Sequence, residues 1–414
     1  MQKKKILMIS DHPLSTSGVG TQARFLINGL IKTGKYQFRC LGAALKHVNY
    51  DTIVVNEDFI VKPIDGFGTQ DMIRLAIATE KPDAMLIFTD PRFFVWLWEM
   101  EDEIHQCCPI VYWHVWDNDP YPDFNNVLYD SNDLINCLSY KTYGLVKPHF
   151  PDKTNYIPHA LPTDIYYPLP KDAIERAKIQ LLGEKRKDHF TGFWINRNAR
   201  RKMPNDVLVS WKLFLDELQK KHGHRNATLV MHTDPLDQEG PNLLRTTEHL
   251  GITDSIFFST DRLEFEKINV LHNIADFCLN MACNEGFGLG TLESMQCGKP
   301  IIALKTGGLT RQVVNCHDGS ENGVALDPDC RDLVGSQNVP YIYEDHVANE
   351  KVAAAIMKLY ELGSEKRNEI GMKAREYALN EFPINKMVSE WDRTLSETIQ
   401  NWKKRYSRFC VKSF

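Results

Sequence analysis

The chain of 414 residues has few cysteines for its length and no long apolar run. Its ten cysteines are scattered, and no Cys-x-x-Cys pair occurs, so the sequence supports neither a zinc ribbon nor a redox motif. No apolar stretch approaches the ~20 residues that a membrane-spanning helix needs. We therefore expect buried free thiols in a reducing compartment and an intracellular protein that is not integral to a membrane.

An excess of positive charge is also missing. The net charge of −5 argues against a nucleic-acid-binding protein, because such proteins normally display a basic face. Hydrophobic residues make up 43% of the chain and charged residues 25%, which is typical of a globular protein. The length suits two domains of ordinary size, each with its own core.

Short apolar runs alternate with helix-like stretches along the whole chain. In the first half the runs lie at 5–10, 52–55, 84–89 and 110–116, with helices predicted at 21–31, 70–79 and 94–103. A proline-rich passage at 155–170 leads into a second half that repeats this alternation. The pattern predicts an α/β fold with parallel strands and helical crossovers, divided into domains at 1–165 and 166–384.

The most informative stretch is 284–300, where Glu285 and Glu293 flank a glycine-rich turn between a predicted strand and a short helix. Glycines let backbone N–H groups approach a ligand, and a helix N-terminus favours a phosphate. We expect Glu293 in about the first turn of the helix and Glu285 on the loop, where it can accept hydrogen bonds from hydroxyls. A nucleotide sugar fits these features. Alternatively, both acids are solvated and Glu293 merely complements the helix dipole.

A basic loop at 196–204 leaves the strand predicted at 190–196. Its four cations are suited to clamping a diphosphate, with arginine forks for oxygen pairs and lysine as a point charge. A solvated basic loop is the alternative. The cations are Arg197, Arg200, Arg201 and Lys202.

The front of the chain carries another glycine turn, at 11–20, with Gly18 and Gly20. Its spacing is not that of a dinucleotide fingerprint, so we expect neither a nicotinamide nor a flavin cofactor. Asp11 and His12 in this turn are candidates for contact with an acceptor. His114 lies near the end of a predicted strand, as does Asp90.

An Asp-x-Asp motif at Asp117 and Asp119 is a possible metal ligand pair. We interpret it as a polar turn before Pro120 and Pro122, because the basic loop already supplies cations for a diphosphate.

Taken together, these features resemble the retaining nucleotide-sugar glycosyltransferases of the GT-B fold, in the large glycosyltransferase family four that includes mannosyltransferases and sucrose synthase-like members. The paired-glutamate motif at 284–300 is the most specific match. Further matches follow in the family's order: Gly18 and Gly20, His114, residues 157–161, Arg197, Arg201, Lys202, Gly307 and Gly308.

The resemblance implies a fold and a set of roles. Two Rossmann-like domains would face each other across a cleft, and a C-terminal helix at 385–414 would cross back to the first domain. Arg197, Arg201 and Lys202 would hold the diphosphate of the donor, Glu293 its ribose, and Glu285 and His114 its sugar. The turn around the donor would be formed by Gly286, Phe287, Gly288 and Leu289. Gly18 and Gly20 would lie beside the phosphate and the acceptor.

Two departures from the family pattern stand out. Thr310 and its neighbours replace an acid that usually follows the Gly307–Gly308 turn, and His159-Ala160 replace an Asn-Gly pair. The first replaces the acid from which the family pattern expects one donor contact. Neither removes a residue assigned to the chemistry.

The resemblance implies a retaining hexosyltransferase that needs no metal or other cofactor. Mannose or glucose would move from a nucleotide-diphosphate sugar, GDP-mannose by family membership alone, to a hydroxyl of a carbohydrate or other acceptor. An epimerase or hydrolase of the same fold, or a catalytically silent nucleotide-sugar-binding protein, are the alternatives. We expect a cytoplasmic protein with no nucleic-acid partner. The basic, aromatic segment 402–409 favours helix packing over peripheral membrane contact. The nucleotide base, the acceptor and the oligomeric state stay open.

Overall fold

The computed structural model describes residues 2–405, and the chain divides into two compact units. Unit 1 runs from the N-terminus to Ala160, includes Gly335–Ile342, and resumes at Ile384. Unit 2 contains Leu161–Val334 and Tyr343–Pro383. The sequence placed the boundary after residue 165, whereas the structure has it after Ala160 and adds the short segment 335–342 to unit 1.

Unit 1 is built on an eight-stranded sheet in the order β3-β4-β2-β1-β5-β6-β7-β8. Its strands are β1 (Lys4–Asp11), β2 (Tyr36–Ala43), β3 (Ile53–Asn56), β4 (Phe59–Pro63), β5 (Ala84–Phe88), β6 (Ile110–His114), β7 (Leu134–Cys137) and β8 (Thr154–Tyr156). Its first helices are α1 (Gly18–Lys32), α2 (Gln70–Glu80), α3 (Val95–Trp98), α4 (Glu101–His105), α5 (Asn126–Asp130) and α6 (Tyr140–Val146). Short 3₁₀ helices lie at Pro91–Phe94 and Asp123–Asn125.

The strands of unit 1 pair in parallel, as predicted, with one exception. β3 runs antiparallel to β4 at the edge of the sheet, and all four of its residues are exposed. The apolar run at 52–55 therefore predicted a strand correctly but not its direction, because a hairpin with β4 follows at once. The helix predicted at 94–103 is also interrupted, since a 3₁₀ turn, α3 and α4 share that region.

The glycine turn at the front of unit 1 is shorter than predicted. Gly18 and Gly20 lie in the first turn of α1, and the Ser17 side chain caps this helix by accepting a hydrogen bond from the Gly20 N–H. A Cβ atom at position 20 would stand 2.5 Å from the His12 carbonyl oxygen. Glycine is thus required there by close packing of the turn on the helix.

Unit 2 is built on a six-stranded parallel sheet in the order β11-β10-β9-β12-β13-β14, beside a separate two-stranded sheet. Its strands are β9 (Phe190–Ile195), β10 (Ala227–His232), β11 (Ile256–Ser259), β12 (Phe277–Asn280), β13 (Ile301–Leu304), β14 (Gly323–Leu326), β15 (Cys330–Val334) and β16 (Ile342–His346). Its helices are α7 (Lys171–Leu182), α8 (Pro204–His222), α9 (Leu243–Leu250), α10 (Phe265–Ile274), α11 (Leu289–Gln296), α12 (Thr310–Val313), α13 (Asn349–Glu361) and α14 (Gly363–Glu381). Further 3₁₀ helices lie at Glu184–Arg186, Arg200–Lys202, Thr253–Ser255 and Gly307–Leu309.

The core of unit 2 forms where α8 packs on the sheet. Val207, Trp211, Phe214 and Leu218 repeat at helical spacing and are all fully buried, which confirms the apolar face that the sequence predicted.

The last helix, α15 (Ile384–Arg405), returns to unit 1. Trp391 is fully buried, and its ring centroid lies 5.0 Å from that of Trp113. Lys35 and Asp392 form an ion pair at 2.5 Å, which joins α15 to the turn between α1 and β2. The crossing helix is therefore as predicted. Half of the basic, aromatic segment 402–409, residues 406–409, lies outside the described residues.

Two further expectations concern membrane-spanning helices and buried thiols, and residues 2–405 bear on both. Within this range, no helix has both the length and the apolar character that crossing a bilayer requires. Free thiols are buried at six positions, as expected, namely Cys40, Cys108, Cys137, Cys278, Cys283 and Cys297. The expectation was wrong for three exposed thiols, Cys107, Cys316 and Cys330.

Candidate functional site

Three loops of unit 2 converge at the carboxyl edge of its sheet. They follow β9, β12 and β13, and the order of the sheet reverses between β9 and β12. Ligands of open α/β sheets bind at such a switch point. Backbone hydrogen bonds join the loops, from the Cys283 N–H to the Arg201 carbonyl at 3.0 Å and from the Gly308 N–H to the Glu285 carbonyl at 2.8 Å.

An ion pair between Lys202 and Glu285 lies at the centre of these loops. Both residues are buried, at 7% and 8% exposure. Burial raises the pKa of Glu285, but the Lys202 ammonium and the neighbouring Arg201 outweigh it, so that this pKa lies below its ordinary value of 4.5. The pair is thus an ammonium and a carboxylate, each ready to exchange its partner for an anion or for hydroxyl groups.

Glycines shape the turn between Glu285 and α11. Gly288 has φ +90°, and a Cβ atom there would stand 2.4 Å from the Leu309 side chain. Gly288 is also the N-cap of α11, with no side-chain cap, so backbone N–H groups of the first turn face the loop region. Gly286 is buried, whereas Leu289 is half-buried at the start of the helix.

The side chain of Phe287 points into the packing of unit 2. It is 5% exposed, and its ring meets Phe382 edge to face at 5.6 Å. Its backbone carbonyl accepts a hydrogen bond from Gln312 at 2.6 Å. Phe287 therefore supports the turn, and its aromatic ring is not presented to a ligand.

Gln312 explains one departure from the family pattern. Its amide donates to the carbonyls of Phe287 and Gly288, and its oxygen accepts from the Thr291 hydroxyl at 2.6 Å. The segment after Gly307–Gly308 thus braces the glycine turn with an amide where an acid was expected. The sequence marked this segment as unusual but did not show what it contacts.

Two other cations of the basic loop have acidic partners of their own. Arg197 is largely exposed and forms two hydrogen bonds to Asp237, at 2.7 and 3.1 Å. Arg200 forms two to Glu344, at 2.9 and 2.5 Å, which holds the pKa of Glu344 below its ordinary value. The structure therefore brings Arg201, Lys202 and Glu285 together. It sets Arg197 apart from them.

Glu293 lies just past the first turn of α11. It is the fifth residue of the helix, in the second turn, and it is 7% exposed. Its carboxylate is 3.0 Å from Nε2 of His272, a residue that the sequence did not single out. The expectation of a position in about the first turn therefore holds to within one residue, since the helix begins at Leu289.

His114 is a core residue of unit 1 in this structure. It ends β6, has no exposed surface, and lies 2.7 Å through Nε2 from the Tyr129 hydroxyl. Burial lowers its pKa to about 3. The predicted direct contact with a sugar is not available to this fully enclosed side chain. Asp90 is likewise local, since it caps the following 3₁₀ helix through the Arg92 N–H.

The front turn of unit 1 carries polar groups at the carboxyl end of β1. Asp11 accepts a hydrogen bond from the Ser17 hydroxyl at 2.8 Å, and burial raises its pKa. The ring of His12 lies 5.6 Å from that of His47, on the loop after β2. Gly18 and Gly20 follow these groups in the first turn of α1.

Potential metal ligands come together elsewhere. Asp119 of the Asp-x-Asp motif pairs with Lys141. Across residues 2–405, three ligand-type side chains meet at one place, Cys316, His317 and Glu381, where Glu381 also pairs with Arg311 at 2.7 Å.

Comparison with known proteins shows what this region is similar to. Residues 184–377 match the family model described as "Glycosyl transferases group 1". A D-inositol 3-phosphate glycosyltransferase of Corynebacterium jeikeium is 30% identical over 174 residues, which cover 41% of this chain and 39% of that protein. An N-acetyl-alpha-D-glucosaminyl L-malate synthase of Bacillus anthracis is 23% identical over 297 residues, covering 68% of this chain and 65% of that protein. The matches thus span less than two thirds of these relatives.

Solved structures share the whole fold. HepE of Anabaena, in complex with UDP and glucose, superposes with a TM-score of 0.68 at 17% identity, covering 95% of this chain and 100% of that one. Sucrose-phosphate synthase of Thermosynechococcus elongatus superposes with a TM-score of 0.70 at 16% identity, covering 97% and 99%. The predicted fold of two Rossmann-like halves is confirmed. The chain has the GT-B fold, and its residues 184–377 are similar to the group 1 glycosyltransferases.

Proposed function

We propose that the protein is a retaining glycosyltransferase that moves a hexosyl group from a nucleotide-diphosphate sugar to an acceptor hydroxyl. The observation that carries this proposal is the buried Lys202–Glu285 pair beside the glycine turn of unit 2. A lysine ammonium and the N–H groups of a helix start are suited to a diphosphate. A carboxylate next to them is suited to sugar hydroxyls.

The donor would change the partners of this ion pair. Its diphosphate would take Lys202 and Arg201, and its sugar hydroxyls would donate to Glu285. The ion pair then keeps two buried charges neutralised until substrate arrives, which limits the cost of burying them.

Charge development in the reaction explains why cations are placed here. Breaking the anomeric C–O bond leaves positive charge on the sugar and negative charge on the departing diphosphate. Lys202, Arg201 and the first N–H groups of α11 would stabilise that negative charge, the largest contribution that a site of this kind makes. The protein's own cations would thus do the work of a metal ion. No cofactor is needed.

Retention would follow from attack on the face that the diphosphate leaves. The acceptor oxygen bonds to the anomeric carbon as the C–O bond to the diphosphate breaks, and the acceptor proton passes to a phosphate oxygen. This course needs no covalent bond to the enzyme, so Glu285 binds and orients the sugar. Asp11 and His12, in the front turn of unit 1, stay candidates for contact with an acceptor.

Two donors are the first to test. The structures of HepE hold UDP with glucose and UDP-glucose, which supports a UDP-hexose. GDP-mannose follows from the family resemblance. The free cysteines among the described residues suit the cytoplasm, where nucleotide sugars are made.

Binding and product analysis together test the proposal. A thermal-shift screen of UDP-, GDP- and ADP-sugars should show one donor raising the melting temperature. NMR of the products with a panel of sugar acceptors should then show a new glycosidic bond with the anomeric configuration of the donor. Free sugar alone would favour a hydrolase, and an altered nucleotide sugar an epimerase. Binding without turnover would indicate a catalytically silent protein.

A further inference from the structure

The buried side chain of His272 contacts two neighbouring residues of α11, Glu293 and Ser294. Nε2 of His272, on α10, lies 3.0 Å from Oε2 of Glu293, and its Nδ1 lies 2.6 Å from the Ser294 hydroxyl. His272 has no exposed surface, while the Glu293 side chain keeps 10% exposure. The imidazole therefore covers one side of the Glu293 carboxylate, and only a small part of this side chain is exposed to solvent.

The chemistry of the three groups fixes the direction of these hydrogen bonds. A carboxylate only accepts, so Nε2 carries the proton and donates to Glu293. In a neutral imidazole Nδ1 then accepts, and the Ser294 hydroxyl donates to it. The serine thus selects the tautomer that keeps the donor nitrogen toward Glu293.

Aromatic packing holds the imidazole in place. The ring of Phe193 meets that of His272 edge to face, with centroids 4.8 Å apart, and the ring of Tyr166 does so at 5.8 Å. Both aromatic residues are almost fully buried. Asn273, the next residue of α10, also donates to the Tyr167 carbonyl at 3.0 Å. The histidine therefore has little freedom to move away from Glu293.

We propose that His272, oriented by Ser294, is a positioning residue for donor recognition. It holds Oε2 of Glu293 so that Oε1 is presented to the ribose hydroxyls of the nucleotide. An anchored carboxylate has less side-chain freedom to lose when it binds a diol, which strengthens the contact. This inference rests on the proposed function, because it assigns Glu293 to the ribose of the donor.

Nucleotides that lack the ribose hydroxyls provide the test. Calorimetry would compare UDP with 2′,3′-dideoxy-UDP, and GDP with 2′,3′-dideoxy-GDP, on the full chain. The wild-type protein should prefer the ribonucleotide. Losing a hydrogen bond to a charged group lowers affinity about tenfold, so His272→Asn should bind the ribonucleotide about tenfold more weakly. Its affinity for the dideoxynucleotide should not change.

A conservative variant separates positioning from folding. The amide nitrogen of His272→Gln reaches the place of Nε2, so this variant should keep most of the ribose preference, whereas the shorter His272→Asn should lose it. Ser294→Ala should weaken the preference to a lesser extent. His249→Asn, on the exposed face of α9, is the matched control and should bind as the wild type does.

The outcomes separate the positioning role of His272 from the proposed function. A folded His272→Asn variant that retains the ribose preference overturns the role of His272 and leaves the proposed function standing. So does a His272→Gln variant that loses as much as His272→Asn. Wild-type protein that binds none of UDP, GDP and ADP contradicts the proposed function itself, and the positioning role with it.

Discussion

At the residue scale, the site depends on two opposite charges that neutralise each other. Lys202 and Glu285 have side chains only 9% and 11% exposed, and they come from loops that follow different strands. The charges are therefore removed from water but not left alone. Removing one partner of such a pair costs more than removing both, because the survivor is then buried without compensation.

A double-mutant cycle measures this coupling. Lys202→Met should lower the free energy of unfolding by about 3 kcal/mol, and Lys202→Met combined with Glu285→Leu should recover most of that loss. Urea titration provides the measurement. Lys212→Met, on the partly exposed face of α8, is the control and should change stability by less than about 0.5 kcal/mol. Equal stability of Lys202→Met and the wild type would show that the pair is not buried as described.

Two buried histidines of unit 1 should make the protein sensitive to acid. Burial lowers the pKa of His114 and of His159 to about 3 from the ordinary 6.5. Each is neutral in the folded state but gains a proton in the unfolded chain near pH 6.5. The unfolded state thus binds more protons below that pH, and stability falls from pH 6.5 toward 3.

Replacing either histidine should reduce this dependence on pH. In His159→Gln the free energy of unfolding should fall less steeply between pH 6 and 4, by about 1.4 kcal/mol per pH unit. Urea titrations at several pH values measure the slope. His249→Gln removes an exposed histidine and should leave the slope unchanged. Identical slopes in all three proteins would mean that His159 is protonated in the folded state.

At the scale of elements, β16 forms hydrogen bonds and an ion pair with the loops of the candidate site. Asp345 is buried, and its carboxylate accepts hydrogen bonds from Thr306 at 2.7 Å and from Arg331 at 2.6 Å. Its backbone N–H donates to the Cys283 carbonyl at 2.7 Å. The neighbouring Glu344 holds Arg200. One short strand therefore braces the loops after β9, β12 and β13.

Removing this brace should affect both stability and donor binding. Asp345→Ala leaves the Thr306 hydroxyl and Arg331 without their shared acceptor, which should cost about 2 kcal/mol of unfolding free energy. Affinity for the nucleotide sugar should fall as well, because the loops lose a common support. Asp332→Ala, at an exposed position of β15 that pairs with His346, is the matched control. If both variants behave alike in urea and in calorimetry, β16 has no such role.

Elements with a regular pattern were the most predictable from the sequence. The buried face of α8 follows from residues at helical spacing, and most strands coincide with apolar runs. β3 was misjudged because an apolar run does not reveal whether its strand lies inside a sheet or at its edge. The division of the helix predicted at 94–103 between α3 and α4 was likewise missed.

Long-range contacts of the site could not be read from the sequence. Glu285 and Glu293 belong to a recognisable motif, but His272, Glu344 and Asp345 do not. Their partners lie far away along the chain and meet them only through the fold, as Arg200 meets Glu344. His114 was misjudged for the opposite reason. Its place at a strand end was correct, but burial of the side chain depends on Tyr112 and Tyr129, which the motif does not specify.

At the scale of the whole molecule, two units of similar architecture each have their own sheet and core. Most of the match to the group 1 glycosyltransferase model lies in unit 2, which also holds the converging loops of the candidate site. The return of α15 to unit 1 came from the family resemblance and not from any local pattern. The segment Gly335–Ile342 gave no signal in the sequence that it would join unit 1.

The most direct measurement is the rate at which the protein releases nucleoside diphosphate from UDP-glucose or GDP-mannose in the presence of acceptor sugars. We expect the wild type and Lys212→Ala to release nucleoside diphosphate from one of these donors. Lys202→Ala should be slower by about a hundredfold or more, the cost of losing a group that stabilises transition-state charge. Turnover of Lys202→Ala equal to that of the wild type would contradict the central claim that this buried lysine serves the departing diphosphate.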